Sequence, residues 1–412
     1  MNSPSPRPHH PPTTAGGVDD VWPWVDGVPV AGDLTVDLDA IAANVAVLGR
    51  AAEASEVMAV VKADAYGHGL VPSARAAVRG GATWLGVAQP VEALALRAAG
   101  ITVPVLCWLY PPGSVGPLVA AGVDVSAAAP WTIDEAEAAA RASGEAARVH
   151  LKIDTGLGRN GTPYETWDAL CVRTAAAVRA GTVDLVGVWS HLAFADEPHH
   201  PTVKEQREVF LDAVGIAHRA GLRPRVRHLA NSAATLTSPD THFDLVRPGL
   251  AVYGLSPVPG LASAHELGLR PAMGLAGRLA LVKDVPAEQG VSYGHAYTTR
   301  RPTSLGLVPL GYGDGVPRHA SGTGPVVVRP GDGGDPVATT VAGRVCMDQV
   351  VVDLGPGGSD RFTAGDRVVL FGDPERGDPS AQAWADAAGT ISYEIVTRMC
   401  SRLPRRYLGG TP

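Results

Sequence analysis

Cysteine is scarce in this 412-residue chain, with four residues at positions 107, 171, 346 and 400. None forms a CxxC pair and the spacings are too wide for a zinc pattern, so no metal site is expected and the thiols read as reduced. A basic excess is missing too: the formal charge is −7, which leaves no electrostatic footprint for nucleic acid. No apolar run reaches the ~18 residues that a membrane-spanning helix needs. The opening stretch MNSPSPRPHHPPTTAGG has none of the hydrophobic core of a signal peptide. Residues 1–30 therefore read as a disordered, proline-rich tail, and the chain as cytoplasmic, with no membrane partner. There is no repeat of solenoid type, and no GxGxxG follows the first strand-like run, which counts against a doubly wound nucleotide-binding sheet.

What is present is ordinary globular composition, 45% hydrophobic and 18% charged, on a chain long enough for two domains. Between residues 57 and 250 a strand-then-helix period repeats. Strand candidates are VMAVVK (57–62), WLGVA (84–88), VPVLCW (103–108), VDVSA (123–127), RVHLKID (148–154), VDLVGVWSH (183–191), VRHLAN (226–231) and FDLVR (243–247). Short β-branched and apolar runs of this kind are expected of strands covered on both faces. Alanine-rich helical segments separate most of them, for example 90–100 and 130–143, while NSAATLTSPDTH leaves room for only a short helix. Eight strands with such connections predict a (β/α)8 TIM-type barrel over residues 31–268. After Arg270 glycine and proline rise and short strands alternate with turns, which predicts a mainly β C-terminal domain over 269–408. The strand LTVDLD (34–39) precedes the barrel count and could pair in either domain.

In such barrels the working groups sit at the C-terminal ends of the strands. Those ends carry Lys62, Lys152 with Arg159 just beyond, His191, Asn231 with Ser232, and Arg247. Each has a bland reading alone: a snorkelling lysine, a hydrogen-bonded core histidine, an arginine bracing a turn, an Asn-Ser helix cap. Their joint placement at one mouth points to a ligand. Phosphate in these barrels is often held after strands seven and eight, here NSAAT (231–235) and RPGLAVYG (247–254), so Ser232 and the amides of Gly249 and Leu250 form a candidate cradle. A phosphate on one side and a lysine on the other suit pyridoxal 5'-phosphate held as a lysine Schiff base. Apolar neighbours such as Val57–Val61 would depress the lysine pKa and favour its neutral, nucleophilic form.

The ordered motifs VVKADAYGHG, LKIDTGLGRNG, HLAFAD, ANSAAT, RPGLAVYG, VSYGHAY, GYGDG, AGRVCMDQ and ISYEIVTRMCSRLPR resemble those of the bacterial alanine racemases across residues 31–408. VKADAYGHG alone would also fit related barrel decarboxylases; the second half of the set separates them. The resemblance implies a homodimer with active sites shared across the interface, a small amino-acid substrate, and D-alanine as a product used for peptidoglycan. It implies that Lys62 holds the cofactor and is the base on the D side, while Tyr293 of the partner subunit is the base on the L side. Arg247 corresponds to the arginine facing the pyridine nitrogen, and His191 to the residue beneath the ring. Tyr66, Ser232, Gly249, Leu250 and Tyr393 correspond to phosphate contacts. Arg159 and Met347 correspond to substrate contacts, Tyr312 to a tyrosine at the substrate's way in, and Lys152 to a lysine carbamylated in several relatives. Two departures are Asp64, where asparagine is commoner, and Gly313, where alanine is commoner.

Overall fold

The computed structural model describes residues 24–25 and 27–410. The expected tail falls mostly on residues outside that range; within it, Trp24–Val25 pairs with Val28–Pro29 in a short antiparallel hairpin.

Eight parallel strands stand in order around a barrel: Glu56–Val60, Trp84–Val87, Val105–Cys107, Asp124–Ala127, Ala147–Lys152, Val183–Trp189, Val226–His228 and Leu245–Val246. The last pairs in parallel with the first. It is joined to the seventh by backbone bonds from Asp244 N–H to Arg227 O (3.1 Å) and from Arg247 N–H to Ala230 O (2.9 Å), so the sheet closes on itself. This is the predicted barrel, and it disposes of the open-sheet alternative. The crossing helices have local causes. Helix Pro90–Ala98 begins with proline at its first position and a reciprocal Gln89/Glu92 capping box. Helix Pro130–Ser143 begins at a proline and stops at Gly144, whose φ of 79° gives the left-handed turn that a side chain would oppose. After the seventh strand come Ser232–Thr237, the short helix expected there, and a single 3-10 turn, Pro239–Thr241.

Strand Gly32–Asp37 answers the open question of its partner. It pairs antiparallel with Met273–Arg278 and parallel with Arg405–Leu408, inside a six-stranded C-terminal sheet. Its inward Leu34 and Val36 are fully buried there, so the chain enters the second domain before it builds the first. A three-stranded sheet of Leu281–Val285, Thr303–Val308 and Val350–Gly355 lies beside it. The C-terminal region is mainly β, as expected, with two short helices, Ala381–Ala388 and Ser392–Thr397, that the sequence reading did not mark. At eight and six residues they are too short to leave a long apolar period. No helix among the described residues is long and apolar enough to cross a membrane.

Candidate active site

The first strand ends at Val60, and Lys62 opens a turn whose next four residues all have positive φ: Ala63 (55°), Asp64 (53°), Ala65 (55°) and Tyr66 (53°). This is a left-handed helical turn built from residues with side chains, which costs roughly 1–2 kcal/mol per residue. Its neighbours hold it there. Glu92 Oε1 accepts the Ala63 N–H (2.6 Å), and Asp64 Oδ1 accepts the Leu70 N–H (2.8 Å). Arg405 pairs with Asp64 (2.9 Å) and donates to Gly67 O (2.6 Å). Gly67 (φ 82°) and Gly69 (93°) also have positive φ, but the strained positions are Ala63–Tyr66, which carry side chains. Asp64, one of the two departures, has a structural task here that joins the turn to the C-terminal strand.

The turn brings Lys62 and Tyr66 into a cavity of about 530 Å³ at the C-terminal mouth of the barrel. Eleven of the fourteen candidate residues line it: Lys62, Tyr66, Lys152, Arg159, His191, Asn231, Ser232, Arg247, Gly249, Leu250 and Tyr393. The other three, Tyr293, Met347 and Tyr312, are not brought to it. They stand on the C-terminal domain with 70%, 54% and 42% of their surface exposed. Met347 and Tyr312 are adjacent, because the N–H groups of Tyr312 and Gly313 donate to Cys346 O (3.0 Å) and Met347 O (2.8 Å). Tyr293 is tied to the same segment through Ser292, whose hydroxyl donates to Arg344 O (2.8 Å). At the other departure, Gly313, a Cβ would come closest to the movable end of the half-exposed Arg402 side chain, which bridges Asp314 (3.3 Å) and Asp348 (2.9 Å), so the structure does not explain the glycine.

Burial and crowded positive charge set the electrostatics. Burial, aided by Arg159 and opposed by Glu92, lowers the Lys62 ammonium pKa. Lys152 is pushed down to about 7 by burial together with Arg247 and Arg159, and its Nζ lies 4.1 Å from the centre of the Trp189 ring. Burial and the same cations push His191 well below its usual range, so it is neutral. Arg247 is buried and pushed down to about 9 by desolvation, which still leaves it charged at neutral pH. One guanidinium nitrogen donates to Ser190 O (2.7 Å) and Leu229 O (3.2 Å) and approaches His191 Nδ1 (3.4 Å). Tyr66 and Tyr393 are both raised by burial, so neither phenol is a ready base.

Next to the first strand, where the eighth pairs with it, Ser232 Oγ accepts the N–H groups of Gly249 (2.7 Å) and Ala251 (3.3 Å). A Cβ on Gly249 would overlap the Tyr66 hydroxyl, so glycine is required for this approach. Asn231 lines the cavity and also caps helix Ser232–Thr237 through Ala234 N–H (3.1 Å), so the helix cap read from the sequence is present. Sequence reasoning missed Trp108 and Trp189, which form cavity wall, and Glu92, which braces the lysine turn. The Glu92 signal was the capping box; the tryptophans left none beyond their place at strand ends.

Sequence profiles of the alanine racemase N-terminal and C-terminal domains match residues 36–257 and 272–407. The chain belongs to the alanine racemase family. An alanine racemase of Frankia casuarinae is 56% identical over 93% of this chain and 98% of its own length. The crystal structure of alanine racemase from a D-cycloserine-producing Streptomyces lavendulae is 54% identical and superposes with a TM-score of 0.89, covering 93% of this chain and 98% of that one. The alanine racemase of Streptomyces coelicolor gives a TM-score of 0.88 at 54% identity, over 92% and 98%. Alanine racemases are pyridoxal 5'-phosphate-dependent isomerases that interconvert L- and D-alanine, and both halves of that architecture are present here. The cavity suits the cofactor: its lining includes an amine of lowered pKa, a buried guanidinium, and a serine hydroxyl beside a sterically required glycine.

Proposed function

We propose that this chain racemises alanine with two opposed bases, Lys62 from one subunit and the partner's Tyr293, in a cytoplasmic homodimer whose two sites each draw on both chains. The observation that carries this reading is the split of the candidate set. Eleven residues line one cavity, while Tyr293, Met347 and Tyr312 form an exposed group elsewhere on the same chain. The cavity is then incomplete until a second copy supplies that group. D-alanine made here would supply peptidoglycan.

When bound, pyridoxal phosphate supplies an electron-withdrawing ring that acidifies the alanine Cα–H. Lys62 holds it and, on the D side, moves a proton between Nζ and Cα. Ser232, Tyr66, Tyr393 and the Gly249–Leu250 segment would hold its phosphate. His191 and Arg247 would hold the ring, and a guanidinium that keeps its proton would offer the ring nitrogen a hydrogen bond only, leaving the ring a weaker electron sink. Arg159 and the partner's Met347 orient the substrate, and the partner's Tyr312 guards its approach. Lys152, pushed down to about 7, has the neutral fraction at physiological pH that carbamylation requires.

The direct test is chiral chromatography of L-alanine incubated with cofactor-loaded protein. The expected result is approach to an equal mixture of isomers. L-alanine returned unchanged by a yellow protein would move the reading to another substrate or to a non-catalytic carrier.

Subunit sharing has its own test. Mixing Lys62→Ala and Tyr293→Phe proteins under conditions that exchange subunits should restore about one quarter of wild-type activity, because half the dimers are mixed and each has one intact site. No recovery, with exchange verified, would place both bases on one chain.

The charge set predicts a pH effect as well. Arg159 lowers the Lys62 pKa, so Arg159→Gln should move the midpoint for cofactor capture by the apoenzyme to higher pH. The neutral amine is the capturing form, and removing a neighbouring cation relieves the protonated one. Stopped-flow absorbance across the pH range reads this, and an unmoved midpoint would count against the assignment. Gly249→Ala should weaken cofactor affinity at least about tenfold by displacing Tyr66, measured by titrating apoenzyme.

A further inference from the structure

Barrel interiors of this kind are filled mainly by branched aliphatic side chains. This one has an apolar cluster, Met58, Leu106, Val186, Val226 and Leu245 with Trp84, and a line of polar groups beside it. His150, His228 and Asp124 are fully buried. Arg247 Nη1 lies 3.3 Å from His228 Nδ1, His228 Nε2 lies 2.9 Å from His150 Nδ1, and His150 Nε2 lies 3.2 Å from Asp124 Oδ2. Arg148 then closes on Asp124 with two bonds, Nε to Oδ1 (2.6 Å) and Nη2 to Oδ2 (3.0 Å). Asp124 and Arg148 sit at the starts of the fourth and fifth strands, and Arg247 follows the end of the eighth. The line therefore crosses the barrel from its N-terminal end to the cavity.

Chemistry gives the line a direction. A guanidinium only donates, so His228 Nδ1 accepts and its proton is on Nε2. A carboxylate only accepts, so His150 carries its proton on Nε2 and offers Nδ1 to His228. Every bond points away from the cavity toward Asp124. Burial keeps both imidazoles neutral, and bonds to His150 and Arg148 hold the Asp124 carboxyl ionised despite its burial. The backbone makes room for it. The pairing of strands five and six slips between Val149 and His150, so that His150 stands opposite Gly187. A Cβ on Gly187 would overlap His150 Nδ1. The His228 ring is stacked on Trp189 at 5.5 Å and 7°, and His150 meets Trp84 edge-on at 5.5 Å.

We propose that Asp124 and His150 are positioning residues for the active site: with His228 they form a one-way hydrogen-bond chain that holds the Arg247 guanidinium in a single orientation toward the cavity. The inference rests on the reading that Arg247 faces the cofactor ring. Ser190 O and Leu229 O fix Nη2; without the chain, the Nη1 proton directed at His228 would lose its fixed acceptor and that end of the guanidinium would be less firmly held.

Neutron diffraction from crystals of the cofactor-loaded wild-type enzyme tests the chain directly. Exchanged deuterium is expected on Nε2 of both His150 and His228 and absent from both Nδ1 atoms; the opposite tautomer at either residue overturns the proposal. Function is read from three variants. His150→Gln keeps one donor and one acceptor and should stay within about threefold of wild type. His150→Phe removes both and should lower kcat about 10- to 100-fold with KM for alanine nearly unchanged, in the range typical of supporting-shell losses. Arg247→Glu separates the two readings. If it leaves kcat unchanged, the role of Arg247 itself is wrong. If it lowers kcat while a folded, cofactor-loaded His150→Phe protein matches wild type, the chain is a fold element only. Should His150→Phe not fold, the neutron result on the unaltered enzyme still decides.

Discussion

Replacing Lys62 with alanine is expected to lower kcat/KM for racemisation about 10⁴-fold in both directions, because one side chain carries two tasks. Its amine holds the cofactor, and it moves the proton on the D side. The site is arranged for both. Burial and Arg159 favour the neutral amine, while Glu92 limits the shift and also braces the left-handed turn that starts at the lysine. The loss should come without loss of fold, since Lys62 follows the strand and is not part of the packed interior cluster. Circular dichroism and thermal unfolding check that, and steady-state assays from each isomer measure the loss. A variant retaining more than about a tenth of wild-type activity would remove Lys62 from the centre of the mechanism.

The second large effect is expected at Tyr293. Tyr293→Phe should lower racemisation in both directions about 10²- to 10⁴-fold, since either direction needs both bases. Exchange of the alanine Cα proton with solvent should separate the isomers. In deuterium oxide, D-alanine should still exchange through Lys62 and be recovered as labelled D-alanine, whereas L-alanine should lose its exchange along with its racemisation. Mass spectrometry combined with chiral separation reads all four quantities. Equal slowing of exchange from both isomers would argue against a one-sided role. The exposure of Tyr293, at 70%, makes this substitution nearly silent for the stability of the single chain, so the result will report on chemistry and assembly.

Much of the barrel was legible because its signals are local. Each strand is a short apolar run, and helices such as Pro130–Ser143 carry their own start and stop residues. The strand-end lysines, the histidine and the arginine could be placed at one mouth because parallel strands in a barrel share a direction. The fifth strand also held a signal that went unused. In Arg148-Val149-His150-Leu151-Lys152 the polar residues fall on alternate positions, so one face of a buried strand is polar throughout. That alternation marks an inward polar stripe, and it is where the chain to Arg247 lies. The short helix carrying Tyr393 went unread because six residues are too few to display a period.

By itself the sequence determined the strand–helix order of the barrel, its class and, through its ordered motifs, the family. These follow from patterns that residues a few positions apart can carry. Only the tertiary structure decided what depends on residues far apart in the chain. Strand Gly32–Asp37 joins the C-terminal sheet because its partners begin more than two hundred residues later. Four side-chain-bearing residues after Lys62 adopt left-handed backbone because Glu92 and Arg405 hold them there. His150 reaches His228 because a slipped register places it against a glycine. Ten candidate residues meet because closure of the barrel draws strand ends together, helix Ser392–Thr397 of the C-terminal domain adds Tyr393, and that domain faces its other three outward.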